Sequence, residues 1–421
     1  MHAVEGRWTE AVACFETALR LRPRFPAALN RLGLAYLQLE QWAESVACHR
    51  KLLRRRPRQF SAHRRLTDAL LQLGSFAEAR RHVELALVLK PYDACAHVHR
   101  ATFLLRQGDF HRGGTEYEWR WRLPGQSAPY PHLRAWPGGS PRGKVLLLHA
   151  EQGLGDTLQF IRYAAVLQTA GATVVFVCPP ALHRLLAGCK GIDRLLSPTD
   201  PLPACDAHAP LLSLPRLLGT TLRTIPAGTP YLHAEPGLVT HWRRRLARYS
   251  GCRVGIAWQG NPAFDHDRQR SLPLAAFAPL AGVGGVRLFS LQKPPGTDQL
   301  AGIAKRFKVV DLGQDTDEAT GTFVDTAAII RSLDLVITSD SAIAHLAGAL
   351  GTPVWLALPV GCDWRWFTGR DDSPWYPRAR LFRQHRPGDW TDVFQRLAVA
   401  LDGVRRPRQG APTIAQNPCT A

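Results

Sequence analysis

A period of 34 residues governs the first quarter of the chain and fixes what it can fold into. Pro23, Pro57 and Pro91 keep that spacing, as do the aromatic residues Trp8, Trp42, Phe76 and Phe110. Gly6, Glu40, Gly74 and Gly108 follow the same step, and so do Ala11, Ser45, Ala79 and Gly113. The spacing predicts two helices and a turn per unit. The small residue lets paired helices approach, the aromatic fills the gap behind it, and the proline, lacking an amide hydrogen, stops the second helix. One such unit cannot bury its apolar face alone, so the units must stack.

Leu32-Gly33-x-x-Tyr36 supplies the first-helix core of the tetratricopeptide pattern, which residues 1–122 resemble. Gly6-Arg7-Trp8 sits where the turn between two helices belongs, so either more chain once preceded Met1 or a partner covers the end of the solenoid. The last unit, Phe110 to Arg122, keeps helical spacing and adds bulky aromatics, which predicts a docking helix. Arrays of this kind bind extended peptides or partner helices, so a protein partner is expected. The plainer alternative is that the array positions or dimerises the rest of the chain.

The chain has 421 residues, 45% hydrophobic and 21% charged, a balance that excludes disorder, collagen and a disulfide-stapled miniprotein. No apolar run is long enough to span a membrane and no cationic leader precedes an apolar core, so a cytoplasmic location is expected. Lys and Arg number 53 against 34 Asp and Glu, a net charge of +19. The excess suits a phosphate-bearing partner, and it also follows from the Arg-rich, Lys-poor usage of a GC-rich coding sequence. No aromatic platform accompanies the charge, so no nucleic-acid partner is expected. The scattered basic residues of the repeats suit a membrane surface or an acidic glycan equally well. Nine cysteines without a C-x-x-C pair fit neither a zinc site nor a disulfide framework.

Five prolines between 123 and 143 mark a semi-rigid connection, a linker over 123–141. Beyond it the pattern changes to β-α-β. Lys144 to His149 reads as a buried strand, Gly153-Leu154-Gly155-Asp156 as a turn, Thr157 to Thr169 as a helix, and Thr173 to Cys178 as the next strand. A second series runs through Arg253–Trp258, Val286–Leu291, Lys308–Asp311, Leu335–Ile337 and Val354–Ala357. Two parallel sheets are implied, one in a lobe over 142–236 and one over 250–402, with a hinge around 225–250 and a disordered tail over 403–421. The fold class is therefore an all-α solenoid followed by two Rossmann-like α/β lobes facing a cleft, where ligands of parallel sheets bind.

The motifs fall at strand ends. His149-Ala150-Glu151-Gln152-Gly153-Leu154-Gly155-Asp156 is no dinucleotide fingerprint, because Leu158 replaces the third glycine and no acid ends the next strand. Gly153 and Gly155 let backbone approach a ligand. Asp156 is either a charge at a helix N-terminus or a general base facing the cleft. Ser339-Asp340-Ser341 opens a helix that contains His345, and its free amides suit a phosphate; a capped helix with a buried histidine is the bland alternative. Trp258-Gln259-Gly260-Asn261 ends a strand, with Arg268 or Arg270 placed to bridge a diphosphate. Asp265-His266-Asp267 has the look of a metal-binding D-x-D, but it stands in a loop of a doubly wound lobe, so no metal is expected. Trp364-Arg365-Trp366 and Trp375-Tyr376 form an aromatic and basic cluster that suits either stacking on a base or sugar or packing between the lobes, and packing is the favoured reading.

Residues 142–402 resemble glycosyltransferase family 9, the ADP-heptose lipopolysaccharide heptosyltransferases and their relatives, through Gly155-Asp156 and Asp340-Ser341-x-x-x-His345. More closely, the whole chain resembles bacterial tetratricopeptide proteins carrying such a domain. Glu151 to Phe160, Pro210-Leu211-Leu212-Ser213-Leu214-Pro215, Asp325-Thr326-Ala327-Ala328 and Asp372-Ser373-Pro374-Trp375-Tyr376-Pro377 carry that likeness. The order of repeats and transferase is similar to that of the protein O-linked N-acetylglucosamine transferases, in architecture only. The resemblance implies the GT-B fold and a metal-independent, inverting sugar transfer from a nucleoside diphosphate to a glycan or protein hydroxyl. It places Asp156 as general base, Arg270 on the diphosphate, Gln292 on the nucleoside, and Asp340, Ser341 and His345 on the donor, with Gly153, Gly155 and Asn261 lining the same site. Ser341 stands where the family commonly has Thr, which keeps the hydroxyl. No cofactor is implied, since the nucleotide sugar is a substrate. The alternative is a catalytically lapsed domain acting with the repeats as an interaction scaffold.

Overall fold

In the computed structural model, residues 7–405 are described, apart from 128, 265, 266 and 313–315. The repeat array comprises α1 (Trp8–Leu21), α2 (Pro26–Gln38), α3 (Trp42–Leu53), α4 (Phe60–Gln72), α5 (Phe76–Leu89), α6 (Ala94–Arg106) and α7 (Phe110–Tyr117). Each helix packs on its sequence neighbour across a short turn. The small residues of the period lie where helices meet: Ser45 and Ala79 are fully buried, and Ser45 Oγ donates to the Gly33 carbonyl at 2.8 Å. A Cβ on Gly33 would stand 2.5 Å from the His49 ring, so the close helix contact requires glycine there.

The expected docking helix is present. Phe110 opens α7 with 1% of its surface exposed and meets Trp364, Phe367 and Trp375 edge-on at 6.3, 6.2 and 5.7 Å between ring centroids. A 3-10 turn, Glu118–Arg122, then leads into the linker. The linker does more than connect. Trp136 N donates to the His208 carbonyl at 2.8 Å and His208 N to the Arg134 carbonyl at 2.9 Å, so this segment satisfies the open edge of the first sheet.

That sheet holds β1 (Val145–His149), β2 (Thr173–Val177), β3 (Arg194–Leu196) and β4 (Ala207–Pro210), all parallel in the order β3-β2-β1-β4. Between β1 and β2 lie α8 (Leu154–Phe160) and α9 (Arg162–Thr169). The second sheet holds β5 (Cys252–Ala257), β6 (Val286–Ser290), β7 (Val309–Val310), β8 (Leu335–Thr338), β9 (Val354–Leu358) and β10 (Ala379–Arg383), again parallel, in the order β10-β9-β8-β5-β6-β7. The near-continuous apolar runs of β1, β8 and β9 are buried on both faces, as parallel strands under helices must be.

The 225–250 segment, read as a hinge, is fastened to the second lobe. Tyr231 N donates to the Ala349 carbonyl at 3.0 Å, and Trp242, on the helix Pro236–Leu246, donates its indole hydrogen to Asp325 Oδ1 at 2.7 Å. A buried tryptophan with a satisfied donor anchors, and the prolines gave no sign of it. The final helix, Trp390–Arg405, runs past residue 402; the rest of the 403–421 tail and residues 1–6 lie outside the described residues. One apolar core passes through the end of the repeats and both lobes, taking in Leu105, Phe110, Leu148, Phe160, Leu346 and Trp375. Among the described residues no helix is long and apolar enough to cross a membrane.

Candidate functional site

The chain leaves β1 through Glu151 and Gln152 and enters α8 at Leu154. The segment read as a turn therefore already contains the first helical turn, with Asp156 in it. Asp156 folds back so that Oδ2 accepts the Gly153 amide hydrogen at 2.9 Å, the part of a first-turn acid. Its other oxygen, Oδ1, accepts from Arg365, which the 3-10 turn Trp364–Trp366 delivers from the end of β9. Arg365 also donates from Nη1 to Asp363 Oδ1 at 2.8 Å. The loops that leave the strands of both sheets thus meet on one carboxylate.

The helix Ala342–Ala349 closes the other side. A Cβ added to Gly155 would lie 3.0 Å from His345 Cδ2 and 3.3 Å from Ala342 Cα, so α8 and this helix are in direct contact where the lobes face each other. Ser341 is the N-cap residue, but its hydroxyl turns to Thr338 Oγ1 at 3.3 Å and does not cap the first-turn amides. Asp340 is 7% exposed at the same end. Arg270 donates from Nε to Asp267 Oδ1 at 3.0 Å and stacks over the Phe264 ring at 4.6 Å. Asp267 also accepts from Ser271 Oγ at 2.8 Å, whereas Asp265 and His266 lie outside the described residues.

Burial raises the carboxyl of Asp156, and Arg365 is the strongest influence pulling it back, with Arg270 adding to it. Asp340 is raised by burial and then by the charge of Asp363, against the pull of Arg270. Burial pushes Asp363 up as well, yet Arg365 overrides it and holds that carboxyl below its ordinary range. One acid of this cluster is therefore firmly ionised while its neighbour resists ionisation. Two buried donors nearby, Ser339 Oγ and Arg365 Nε, have no hydrogen-bond partner among the described residues.

His345 is a core residue. Its Nδ1 lies 2.9 Å from the Tyr376 hydroxyl and its ring lies parallel to Trp366 at 5.4 Å. Burial, then the charge of Arg365, pushes it down from 6.5 to about 3, so it is neutral at pH 7. Below pH 6.5 the unfolded chain takes up a proton on this imidazole that the folded chain excludes, so stability falls with acidification, by up to about 1.4 kcal/mol per pH unit from this group. His345→Gln should lose that slope in denaturant titrations run at successive pH values below 6.5. An unchanged slope would mean that the imidazole protonates without unfolding.

The remaining sequence-derived residues are placed differently. Gln292 commits its amide to backbone: Oε1 accepts from Trp258 N at 3.0 Å and Gln259 N at 2.9 Å, and Nε2 donates to the carbonyls of Gln259, Lys293 and Pro295. Asn261 is exposed and its Oδ1 accepts from Ala263 N at 3.0 Å, closing a turn. Arg268 is exposed, so Arg270 is the guanidinium that reaches the carboxylate cluster.

The sequence pattern assigns no role in the site to four residues found around it. Arg365 and Asp363 were passed over because the flanking tryptophans read as packing, which they are: Trp364 and Trp366 are buried. Glu151 stands in the same motif as Asp156 but faces the repeats, where it receives Arg120 Nε at 2.7 Å and Arg120 Nη2 at 3.0 Å. Gln152 faces the same way and donates to the Tyr117 hydroxyl at 2.8 Å. Charged residues inside an aromatic cluster were the available signal, since a buried charge demands a partner.

Residues 4–40 match a TPR repeat model and residues 32–94 a tetratricopeptide repeat model, so the period read from the prolines is that of tetratricopeptide repeats. Protein FlbA of Caulobacter vibrioides is 27% identical over 318 residues, covering 69% of this chain and 52% of FlbA. The chain thus spans about half the length of that curated relative. A glycosyltransferase family 9 protein from Veillonella parvula aligns over 59% of this chain and 88% of its own, with 12% identity and a TM-score of 0.45. ADP-heptose lipopolysaccharide heptosyltransferase II of E. coli aligns over 62% of this chain and 98% of its own, with 13% identity and a TM-score of 0.44.

Proposed function

We propose that the chain is a metal-independent, inverting glycosyltransferase that moves a sugar from a nucleoside diphosphate to a hydroxyl of a glycan or a polypeptide. The observation that carries this reading is the convergence of Asp156, Arg365 and the uncapped amino end of Ala342–Ala349 at the meeting of the two lobes. A carboxylate raised by burial suits removal of a proton from an acceptor hydroxyl. The acceptor oxygen then bonds to the anomeric carbon as the bond to the diphosphate oxygen breaks. The charge that develops on the diphosphate is met by Arg270, by Arg365 and by the helix amides. Donation from Arg365 to Asp156 is the resting arrangement in this scheme, broken when the diphosphate draws the guanidinium away.

The contact between Gly155 and Ala342 favours a second reading, a domain closed on itself that serves the repeats as a scaffold. Nucleotide binding separates the two. A thermal shift screen of nucleoside diphosphates on the whole chain should find one that stabilises it by about 2.7 kcal/mol at a hundredfold excess over its dissociation constant. A panel in which no member raises the melting temperature overturns the transfer reading and leaves the scaffold.

A further inference from the structure

The segment that joins the two lobes runs beside a second concavity. A cleft of about 310 Å³ opens between residues 230–236, one side of the helix Pro236–Leu246, and Arg331, which follows the helix Val324–Ile330. Its charged lining has one sign. Arg243 comes from the first helix, Arg331 from the end of the second, and His233 from the connecting segment, while no Asp or Glu among the described residues lines it. Glu235, the acid adjacent in sequence, has both carboxylate oxygens on Arg184, at 2.7 and 2.9 Å, and the helix Pro236–Leu246 carries no acid. Two guanidinium groups in one concavity without an acid repel each other, a cost that an anion removes.

The cations are held in place by the fold. Trp242, next to Arg243, is 3% exposed and donates to Asp325 Oδ1 at 2.7 Å, which pins one helix against the other. Arg331 donates from Nη1 to the Leu350 carbonyl at 3.2 Å, a bond that uses one of the five N–H donors of a guanidinium. Leu232 N donates to the Ala349 carbonyl at 3.4 Å, so the connecting segment is fastened as well. Arg243 and His233 have no hydrogen-bond or ion-pair partner among the described residues.

The lining selects the ligand. Two guanidinium forks from different helices can meet different oxygens of a tetrahedral phosphate, whereas a planar carboxylate fills one fork. Pro230, Pro236 and Val239 give the rest of the wall an apolar surface, which suits the carbon skeleton of an ester and offers nothing to an inorganic ion. No Phe, Tyr or Trp lines the cleft, so a nucleobase would find nothing to stack on. The place is separate from the candidate site. Leu350 follows the helix Ala342–Ala349, whose opening residue meets Gly155 about 12 Å of helix away. We infer that this cleft binds a phosphate monoester, at a site other than the one where the transfer reading puts its diphosphate.

The test is isothermal titration of the whole chain with glycerol 3-phosphate and with inorganic phosphate at low salt. Beside it, the chain is sedimented with phosphatidylcholine vesicles carrying phosphatidic acid, which presents the same monoester on a lipid, and with phosphatidylglycerol vesicles of equal charge, which present a diester. Tighter binding of glycerol 3-phosphate than of inorganic phosphate identifies a soluble ester as the ligand; sedimentation with phosphatidic acid while the free ester does not bind identifies a lipid headgroup. In the arm that binds, Arg243→Ala and Arg331→Ala should each weaken the interaction about tenfold, as loss of a charge-assisted hydrogen bond implies. Arg270→Ala, at the candidate site, should leave it unchanged. Arg243 is exposed, so its variant should keep the wild-type melting curve and is the decisive one, whereas Arg331→Ala also gives up the Leu350 contact. No nucleotide sugar enters either arm, so failure of the transfer reading leaves this result unaffected. The proposal is overturned if neither the free ester nor the phosphatidic acid vesicles bind, if Arg243→Ala leaves the affinity unchanged, if Arg270→Ala alone abolishes binding, or if the diester vesicles bind as well and with the same sensitivity to Arg243→Ala.

Discussion

Asp156→Asn is expected to lower the rate of sugar transfer by about two to four orders of magnitude, the usual worth of a positioned general base. Stabilisation by the nucleoside diphosphate should survive. The asparagine oxygen still accepts the Gly153 amide hydrogen, so the first turn of α8 keeps its closure. What is lost is a group able to take a proton. The pH profile of the wild type carries a second signature. The base works ionised, so activity should fall as pH drops through a carboxyl that burial has raised, giving an acid limb above the ordinary carboxylate range. Arg365 is the main force opposing that rise, so Arg365→Leu should move the limb to still higher pH. Initial rates of the two variants and the wild type across pH decide the matter. Transfer by Asp156→Asn at the wild-type rate removes this carboxylate from the chemistry.

Different physical origins separate what the sequence made legible from what it did not. The repeats could be read because a steric requirement recurs: Ser45 and Ala79 are buried against a neighbouring helix in successive units, so the period repeats the same packing problem. The parallel sheets could be read because strands buried on both faces leave uninterrupted apolar runs. That the two strand-end motifs face each other was legible, since ligand sites of such sheets lie beyond the carboxyl ends; their direct contact at Gly155 was not, because the pattern predicts an open cleft there. The cation on Asp156 was not, because it lies 209 residues away and its neighbours in sequence are packing aromatics. Pattern reports what a residue needs locally; it does not report which distant group satisfies it. Gln292 shows the converse. A glutamine after a strand suits either a ligand or the adjoining backbone, and only coordinates reveal that backbone takes all of its hydrogen bonds.

The fusion of the repeats to the site has an energetic consequence that can be measured. Arg120 and Glu151 have side chains 6% and 5% exposed. Around them Ser213 Oγ receives Arg120 Nη2 at 2.9 Å and Leu212 N donates to Glu151 at 2.9 Å. Burial raises the Glu151 carboxyl and Arg120 is what chiefly opposes it, so Arg120→Met strands an acid inside the protein. The expected cost is about 3 to 5 kcal/mol, because the partner left behind keeps its desolvation penalty. The cost should depend on pH in a fixed direction. An acid whose folded pKa is raised is tolerated while protonated, so the deficit of Arg120→Met should be small below the unfolded carboxyl range and grow as pH rises through the folded value. Arg120→Met combined with Glu151→Leu removes both charges and should recover most of the loss. Denaturant melts of the two single variants and the double variant, at acid and neutral pH, close the cycle. A double variant as unstable as the singles would mean that lost packing, rather than stranded charge, sets the cost. Glu151 stands on the segment that leads into the helical turn holding Asp156, and Arg106 holds the Cys362 carbonyl close in sequence to Arg365. The repeats thus brace both walls of the site, so a loosened Arg120 contact should reach the chemistry before it unfolds the chain.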